Sequence, residues 1–293
     1  MRIDVLGVLD VRENGVSVAP TAPKPRQVLA LLALHADRVV PVSALIDELW
    51  AGKPPRSART TLQTYVLQLR DLIALALDRQ EPGVDSGSPS RRRAKDVLVT
   101  SPGGYMLVLG EGSSDVREFE RLAGMGYRAI DQGDFQGASR LLREALALWT
   151  GSAFADVQTG AQLEMEARRL EEGRLCALDQ RIEADLRLGR HRELLAELTV
   201  LTSRYSTHEN LHAQFMLALH RSGRRGEALD VYHRLRGTLV RDLGLEPSSR
   251  LRQLQQSILT AAPETPLAEQ QTPAVAPVPG PRKGGSTNSL RVN

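Results

Sequence analysis

Cysteine is nearly missing from this 293-residue sequence: Cys176 stands alone. A single cysteine excludes an internal disulfide and fits a reducing compartment. Cys176 itself reads as a small buried side chain on a helix. Long apolar runs are also missing. None approaches the roughly 18 residues that a membrane-spanning helix needs, and the opening "MRIDVLGVLDVRENG" lacks the charged-then-apolar pattern of a secretory leader. A soluble, cytoplasmic protein with no membrane partner is the expectation. The third absence is local. Between Leu49 and Arg70 there is no acidic residue, only Lys53, Arg56, Arg59 and Arg70. An ordinary solvated helix mixes Glu and Lys on its outer face, so this stretch is built to meet a surface that rejects carboxylates.

What is present fits two folded units and a tail. Hydrophobic residues make up 41% and charged residues 25%, enough to fold around a core. The net charge is +3, and its surplus lies early: residues 1–110 hold 14 basic against 11 acidic side chains, residues 111–260 hold 21 against 22. Ile3, Val5, Gly7, Leu9 and Val11 alternate, "ENG" (13–15) supplies a turn, and Val16 and Val18 resume the period of two, a hairpin signal. "PKPRQVLALLALHA" (23–36) and "PVSALIDELW" (41–50) read as helices, the second with Ser43 as its N-cap. "RSARTTLQTYVLQLRDLI" (56–73) follows as a third. Residues 78–96 have almost no apolar content and read as a mobile basic loop carrying "RRRAK" (91–95). "VLVTSPGGYMLVL" (97–109) reads as a second hairpin around Pro102, Gly103 and Gly104. Three helices followed by a hairpin is the layout of a winged helix-turn-helix.

From about Gly112 to residue 261 the pattern is helical, with three-four spacing over 134–149, 161–189, 191–205, 208–223 and 225–244. Gly189 and Gly223 punctuate helix pairs 34 residues apart, which points to tetratricopeptide-like repeats. The expected fold is therefore multidomain and mainly α: an N-terminal α+β winged helix-turn-helix over 1–110, an all-α helical repeat domain over 111–261, and a Pro/Gly/Ser-rich disordered tail over 262–293.

Successive residues of the third helix lie 100° apart. Ala58, Leu62, Val66, Leu69 and Ile73 then form one narrow inward stripe. Ser57, Thr60, Thr64, Leu67 and Asp71 lie opposite, with Gln68 and Arg56 flanking, Arg59, Gln63 and Arg70 on one shoulder, and Tyr65 on the other. Such an outer face suits the major groove of DNA. Glutamine bonds adenine in bidentate fashion, hydroxyls suit several base edges, and a threonine methyl or Leu67 touches a thymine methyl. Thr61 joins Thr64, Leu67 and Gln68 as a candidate base contact. Lys53, Arg56 and Arg59 are candidate phosphate contacts, and a carboxylate among them would face the duplex charge. Gly103, Gly104 and Tyr105, with Arg91, Arg92 and Arg93 from the preceding loop, are wing candidates.

The stretch "KPRQVLALLALHADRVVPVSALIDELWAGKPPRSARTTLQTYVLQLRDLI", followed by "TSPGGYML", resembles the OmpR-type winged helix of the Streptomyces antibiotic regulatory proteins. "EALALWTGSAFADV" (144–157) and "RLRGTLVRDLGLEPSSRLRQLQQSIL" (234–259) resemble the bacterial transcriptional activation domain that follows it in that family. The resemblance covers roughly residues 1–261. It implies a pathway-specific transcriptional activator for a secondary-metabolite gene cluster. It also implies head-to-tail binding as a homodimer to direct repeats near the −35 element of promoter DNA, and recruitment of RNA polymerase holoenzyme with its sigma factor. It places base contacts at Thr64 and Gln68 and phosphate contacts at Thr60, Tyr65 and Arg70. Ser101 stands where many relatives carry a wing arginine. A receiver domain ahead of residue 1 is not expected, and "AGKPPR" lacks the spacing of a phosphate-binding loop, so neither is control by aspartate phosphorylation or an attached ATPase.

Catalysis is not expected either. His208 and His212 stand four apart without a completing ligand, the pairs Glu164/Glu166 and Glu171/Glu172 sit on a strongly charged helix, and there is no nucleophile elbow. No cofactor or metal is implied. Two other readings stay open: a protein–protein scaffold that binds no DNA, and a helical domain that also senses a small molecule.

Overall fold

The computed structural model describes residues 1–79 and 92–260. The expectations for the tail, for Arg91 and for most of the 78–96 loop lie outside the described residues. Strand β1 (Arg2–Asp4) pairs antiparallel with β2 (Asp10–Glu13), and β2 turns through Asn14 and Gly15, both at positive φ, into β3 (Val16–Ser17). The alternation over residues 3–11 is thus not one strand. Residues 5–9 leave the sheet because their backbone groups pair elsewhere, as described below.

Three helices follow: α1 (Pro23–Leu34), α2 (Val42–Trp50) and α3 (Ala58–Asp78), with the short strand β4 (Val40–Pro41) between the first two. Pro at the first position of α1 costs nothing, because that amide has no helical partner. The N-cap of α2 is Pro41, without a side-chain bond, and Ser43 lies inside the first turn rather than capping it. Ala51, in the left-handed region, ends α2. Helix α3 runs five residues past Ile73, since Ala76 and Leu77 extend its apolar stripe into the core. A one-turn helix α4 (Ala94–Val97) occupies the end of the stretch expected to be loop. Strands β5 (Leu98–Ser101) and β6 (Gly104–Leu107) form the second hairpin, and β6 also pairs with β4, Val40 opposite Tyr105.

Strand β7 (Ser113–Ser114) runs parallel to β1 and leads into the helices α5 (Asp115–Asp131), α6 (Phe135–Ala147), α7 (Ala161–Arg187), α8 (His191–Arg204), α9 (Glu209–Arg221), α10 (Arg225–Leu243) and α11 (Ser249–Thr260). The fold is multidomain and mainly α, a small α+β winged helix-turn-helix followed by helical repeats. Gly133, Gly189 and Gly223 follow α5, α7 and α9, each at a φ of +76° to +78° that side chains resist. Helix α5 had no separate place in the sequence reading. It is one half of the first helix pair, and Gly126 lets α6 approach it: a Cβ there would lie 2.6 Å from Leu142 Cγ.

The main core does not divide at residue 110. One cluster of buried side chains runs from Ile3 through the winged helix and on through Phe119, Leu142, Trp149, Phe154 and Leu163 to Ala177. A second begins at Ile182 and holds α8 to α11. Helix α7 passes through both. Cys176, near the change-over, is exposed, not buried as expected; the inward position beside it is taken by Ala177.

Candidate nucleic-acid interface

Helix α3 buries the stripe read from its sequence: Ala58, Leu62, Val66, Leu69 and Ile73 are all in the core. By the area rule, each large aliphatic side chain buried there contributes about 1.5–3 kcal/mol, so the opposite face is fixed in register. That face presents Thr60, Gln63, Thr64, Leu67, Gln68 and Asp71 to solvent. Leu67, 58% exposed, is a large apolar side chain standing in water among them. The Thr64 hydroxyl donates to the Thr60 carbonyl at 3.1 Å and keeps its acceptor lone pairs. Thr61 and Tyr65 are half-buried at the margins, Tyr65 against the core.

Lys53, Arg56 and Arg59 are exposed, and none forms an ion pair with a described residue. The N-cap residue of α3, Ser57, makes no side-chain cap bond, and the first turn has no acidic residue. Uncommitted cations therefore surround a helix N-terminus whose free amides favour anions. Asp71, the first carboxylate of the helix, sits three turns in.

Arg70 is committed. Its Nε and Nη2 donate to the Leu98 carbonyl at 3.1 and 2.8 Å, and Nη2 also donates to Thr100 Oγ1 at 2.8 Å. It joins the exposed helix to the first strand of the hairpin, so its primary work is internal. Arg92 is likewise engaged, with Nη2 on the Val108 carbonyl at 3.0 Å and Nη1 3.6 Å from Glu13. Arg93 is exposed at the start of α4. At the hairpin tip Pro102 and Gly103 face solvent, and the Gly103 carbonyl accepts from Val42 N at 2.9 Å, tying the tip to α2. Gly104 and Tyr105 do not belong to an exposed wing. Tyr105 packs into the core, and Gly104 lies against β4 so closely that a Cβ would come 2.2 Å from the Val40 carbonyl oxygen.

Carboxylates that sequence reasoning missed hold this assembly to the helical half. Glu48 of α2, 3% exposed, caps α7: Oε1 accepts from Gly160 N at 2.5 Å and Gln27 Nε2 at 3.1 Å, and Oε2 from Gln162 N at 2.8 Å and Leu163 N at 3.3 Å. Asp115 Oδ2 accepts from Val5 N and Leu6 N at 2.6 and 2.7 Å. Burial raises its pKa, and these amide bonds oppose the rise. Asp156 accepts from Leu9 N at 2.8 Å and pairs with Arg26. Thr150, Phe154 and Ala155 donate backbone N–H bonds to the Leu6, Val5 and Gly7 carbonyls. The only local signal was apolar context, as in "LIDELW", which does not say which of Asp47 and Glu48 turns inward.

His208 caps α9 through Leu211 N, and His212 is buried. The charged pairs of α7 are ion pairs, Glu164 with Arg168, Glu166 with Arg169 and Glu171 with Arg174. No helix among the described residues is long and apolar enough to cross a membrane.

Comparison with known proteins follows this division of labour. Residues 17–82 match the family described as transcriptional regulatory protein, C terminal, and residues 114–259 match the bacterial transcriptional activator domain. The chain is 52% identical over 278 residues to the regulatory protein DnrI of Streptomyces peucetius, covering 95% of this chain and 99% of that one. It is 38% identical over 264 residues to the regulatory protein AfsR of Streptomyces coelicolor, covering 90% of this chain and 24% of AfsR. Among solved structures, EmbR of Mycobacterium tuberculosis, in complex with a low-affinity phosphopeptide, superimposes with a TM-score of 0.77 at 34% identity, covering 88% of this chain and 64% of that one.

Proposed function

The chain belongs to the Streptomyces antibiotic regulatory protein family of transcriptional regulators, and from that premise we propose that it is a pathway-specific activator of a secondary-metabolite gene cluster. It acts in the cytoplasm, at the nucleoid, without catalysis. Residues 1–110 bind promoter DNA at direct repeats near the −35 element, and residues 111–261 meet RNA polymerase holoenzyme and its sigma factor. Two copies bind head-to-tail through an open, heterologous contact whose extent is set by the number of repeats in the DNA.

The observation that supports this reading best is the outer face of α3. It is free of carboxylates until Asp71, is fixed in register by a buried stripe, and is flanked by uncommitted Lys53, Arg56 and Arg59. On it Thr64, Gln68 and Leu67 read bases, with Thr61 at the margin, while Thr60, Lys53, Arg56, Arg59 and the ring edge of Tyr65 meet phosphates. Gly103 and Arg93 are the described wing positions left free to approach the backbone.

The test is selection of sheared genomic DNA of the host by the purified protein near physiological salt. Recovery of a few promoters with direct repeats is the expected result. Gln68→Ala then weakens target binding by about 1–3 kcal/mol while leaving random duplex nearly unchanged. Equal affinity of the native protein for target and random DNA would refute sequence-specific recognition and favour a scaffold.

A further inference from the structure

The helical half contains a cleft that the DNA-facing surface does not use. It opens where the end of α8 and the middle of α10 flank α9, and its volume is about 380 Å³. His212 and Phe215 line it from α9, Arg234 and Leu235 from α10, and Ser203 and Thr238 bring hydroxyls.

Its polar groups are differentiated. His212 is 7% exposed, and its Nδ1 lies 3.1 Å from the His208 carbonyl oxygen. A carbonyl only accepts, so Nδ1 carries the proton. In the neutral ring Nε2 is then a bare acceptor, and no described residue bonds to it. Burial lowers the pKa of the ring, the bond to the His208 carbonyl opposes this, and the nearby Arg234 adds to the lowering. Arg234 is exposed and forms no ion pair with a described residue. One uncommitted cation, one free acceptor that solvent reaches on a largely buried ring, and an apolar wall of Phe215 and Leu235 therefore share a cleft of the size that ligand pockets have.

We propose that this cleft is a binding site for a small organic anion with an apolar ring or chain and a hydroxyl or N–H donor. The anionic group meets Arg234, the donor bonds to His212 Nε2, and the apolar body covers Phe215 and Leu235. Cations are repelled by Arg234, and a ligand without a donor displaces water from Nε2 without replacing its hydrogen bond. The site stands apart from α3 and holds whether or not the chain binds DNA.

The smallest convenient probe is 4-hydroxybenzoate, with benzoate and 4-hydroxybenzamide as controls. The full chain is labelled with ¹⁵N-histidine and titrated, following the imidazole nitrogens by NMR. We expect a saturable shift of His212 Nε2 while His220 and His233 stay still. Benzoate, lacking the donor, leaves that nitrogen near its free position, and the uncharged amide binds more weakly. Arg234→Gln, at an exposed position, keeps the native melting curve and weakens 4-hydroxybenzoate by about tenfold, the loss of one charge-assisted hydrogen bond. No saturable response, equal shifts at all six histidines, or undiminished affinity of the Arg234→Gln protein would each overturn the assignment.

Discussion

Replacing Glu48 by glutamine tests how the DNA-binding helices are held to the helical half. The carboxylate accepts four hydrogen bonds, two on each oxygen, from Gly160, Gln162, Leu163 and Gln27. The amide keeps the shape of the side chain, but one oxygen becomes a donor. Whichever way the amide turns, two N–H donors lose their acceptor and face another N–H. Each bond to a charged group is worth about 1.5–3 kcal/mol. The charge at the α7 N-terminus adds up to about 2 kcal/mol in a partly buried setting. Relief of the desolvation of Glu48 opposes both. A net cost of about 2–4 kcal/mol follows, and at roughly 2–4 °C per kcal/mol for a domain of this size the melting temperature falls by roughly 4–16 °C. The assay is scanning calorimetry of both proteins side by side. The control is Glu164→Gln on the first turn of the same helix, exposed and paired with Arg168, where the change stays within about 0.5 kcal/mol. A Glu48→Gln protein melting within about 1 °C of the native one would refute the claim that this carboxylate caps α7.

Other outcomes follow from the same contacts. Arg59→Ala lowers the salt dependence of DNA binding by a slope of about one and leaves stability unchanged, because the side chain has no partner among the described residues. Arg70→Ala, in contrast, lowers both the melting temperature and the affinity for all DNA, since it frees the Leu98 carbonyl and Thr100 and releases the hairpin from α3; an unchanged melting temperature would show that its contact is with DNA alone. Asp185 is fully buried and meets Arg143, Arg181, Arg190 and Ser139. Desolvation raises its pKa, but the bonds from Arg143 and Ser139, with Arg190 behind them, prevail and hold it below the ordinary value of 3.8. A depressed pKa contributes stability that is present above the unfolded value and lost as pH falls through the folded one. Denaturant titrations below pH 4 should therefore show native stability falling with pH more steeply than that of Asp185→Asn, and parallel curves would rule out Asp185 as a source of the acid sensitivity.

Much of the candidate interface was legible because it depends on one helix. The 100° step alone separates Leu62, Val66 and Leu69 from Thr60, Thr64 and Gln68, and burial follows that division. The chain turns at Asn14–Gly15, Gly189 and Gly223 were legible for a similar reason, since a positive φ restricts the residue locally. Periodicity names the buried face of a helix and says nothing about what covers it. Arg70 lies on the shoulder that suits a phosphate, yet the hairpin brings the Leu98 carbonyl to it from 28 residues away. Tyr105 shares a turn with the exposed Gly103, and the pairing of β6 with β4 carries it inward.

Sequence by itself determined the two kinds of unit, their order, and the face of α3 left to solvent, because each rests on residue types repeating over a few turns. Only the tertiary structure decided that the winged helix and α5 to α7 share one core and that Glu48 of the DNA-binding half caps a helix of the other. A buried carboxylate needs donors, and three of the four on Glu48 arrive from 112 to 115 residues away, a separation at which only the folded path of the chain selects the partner.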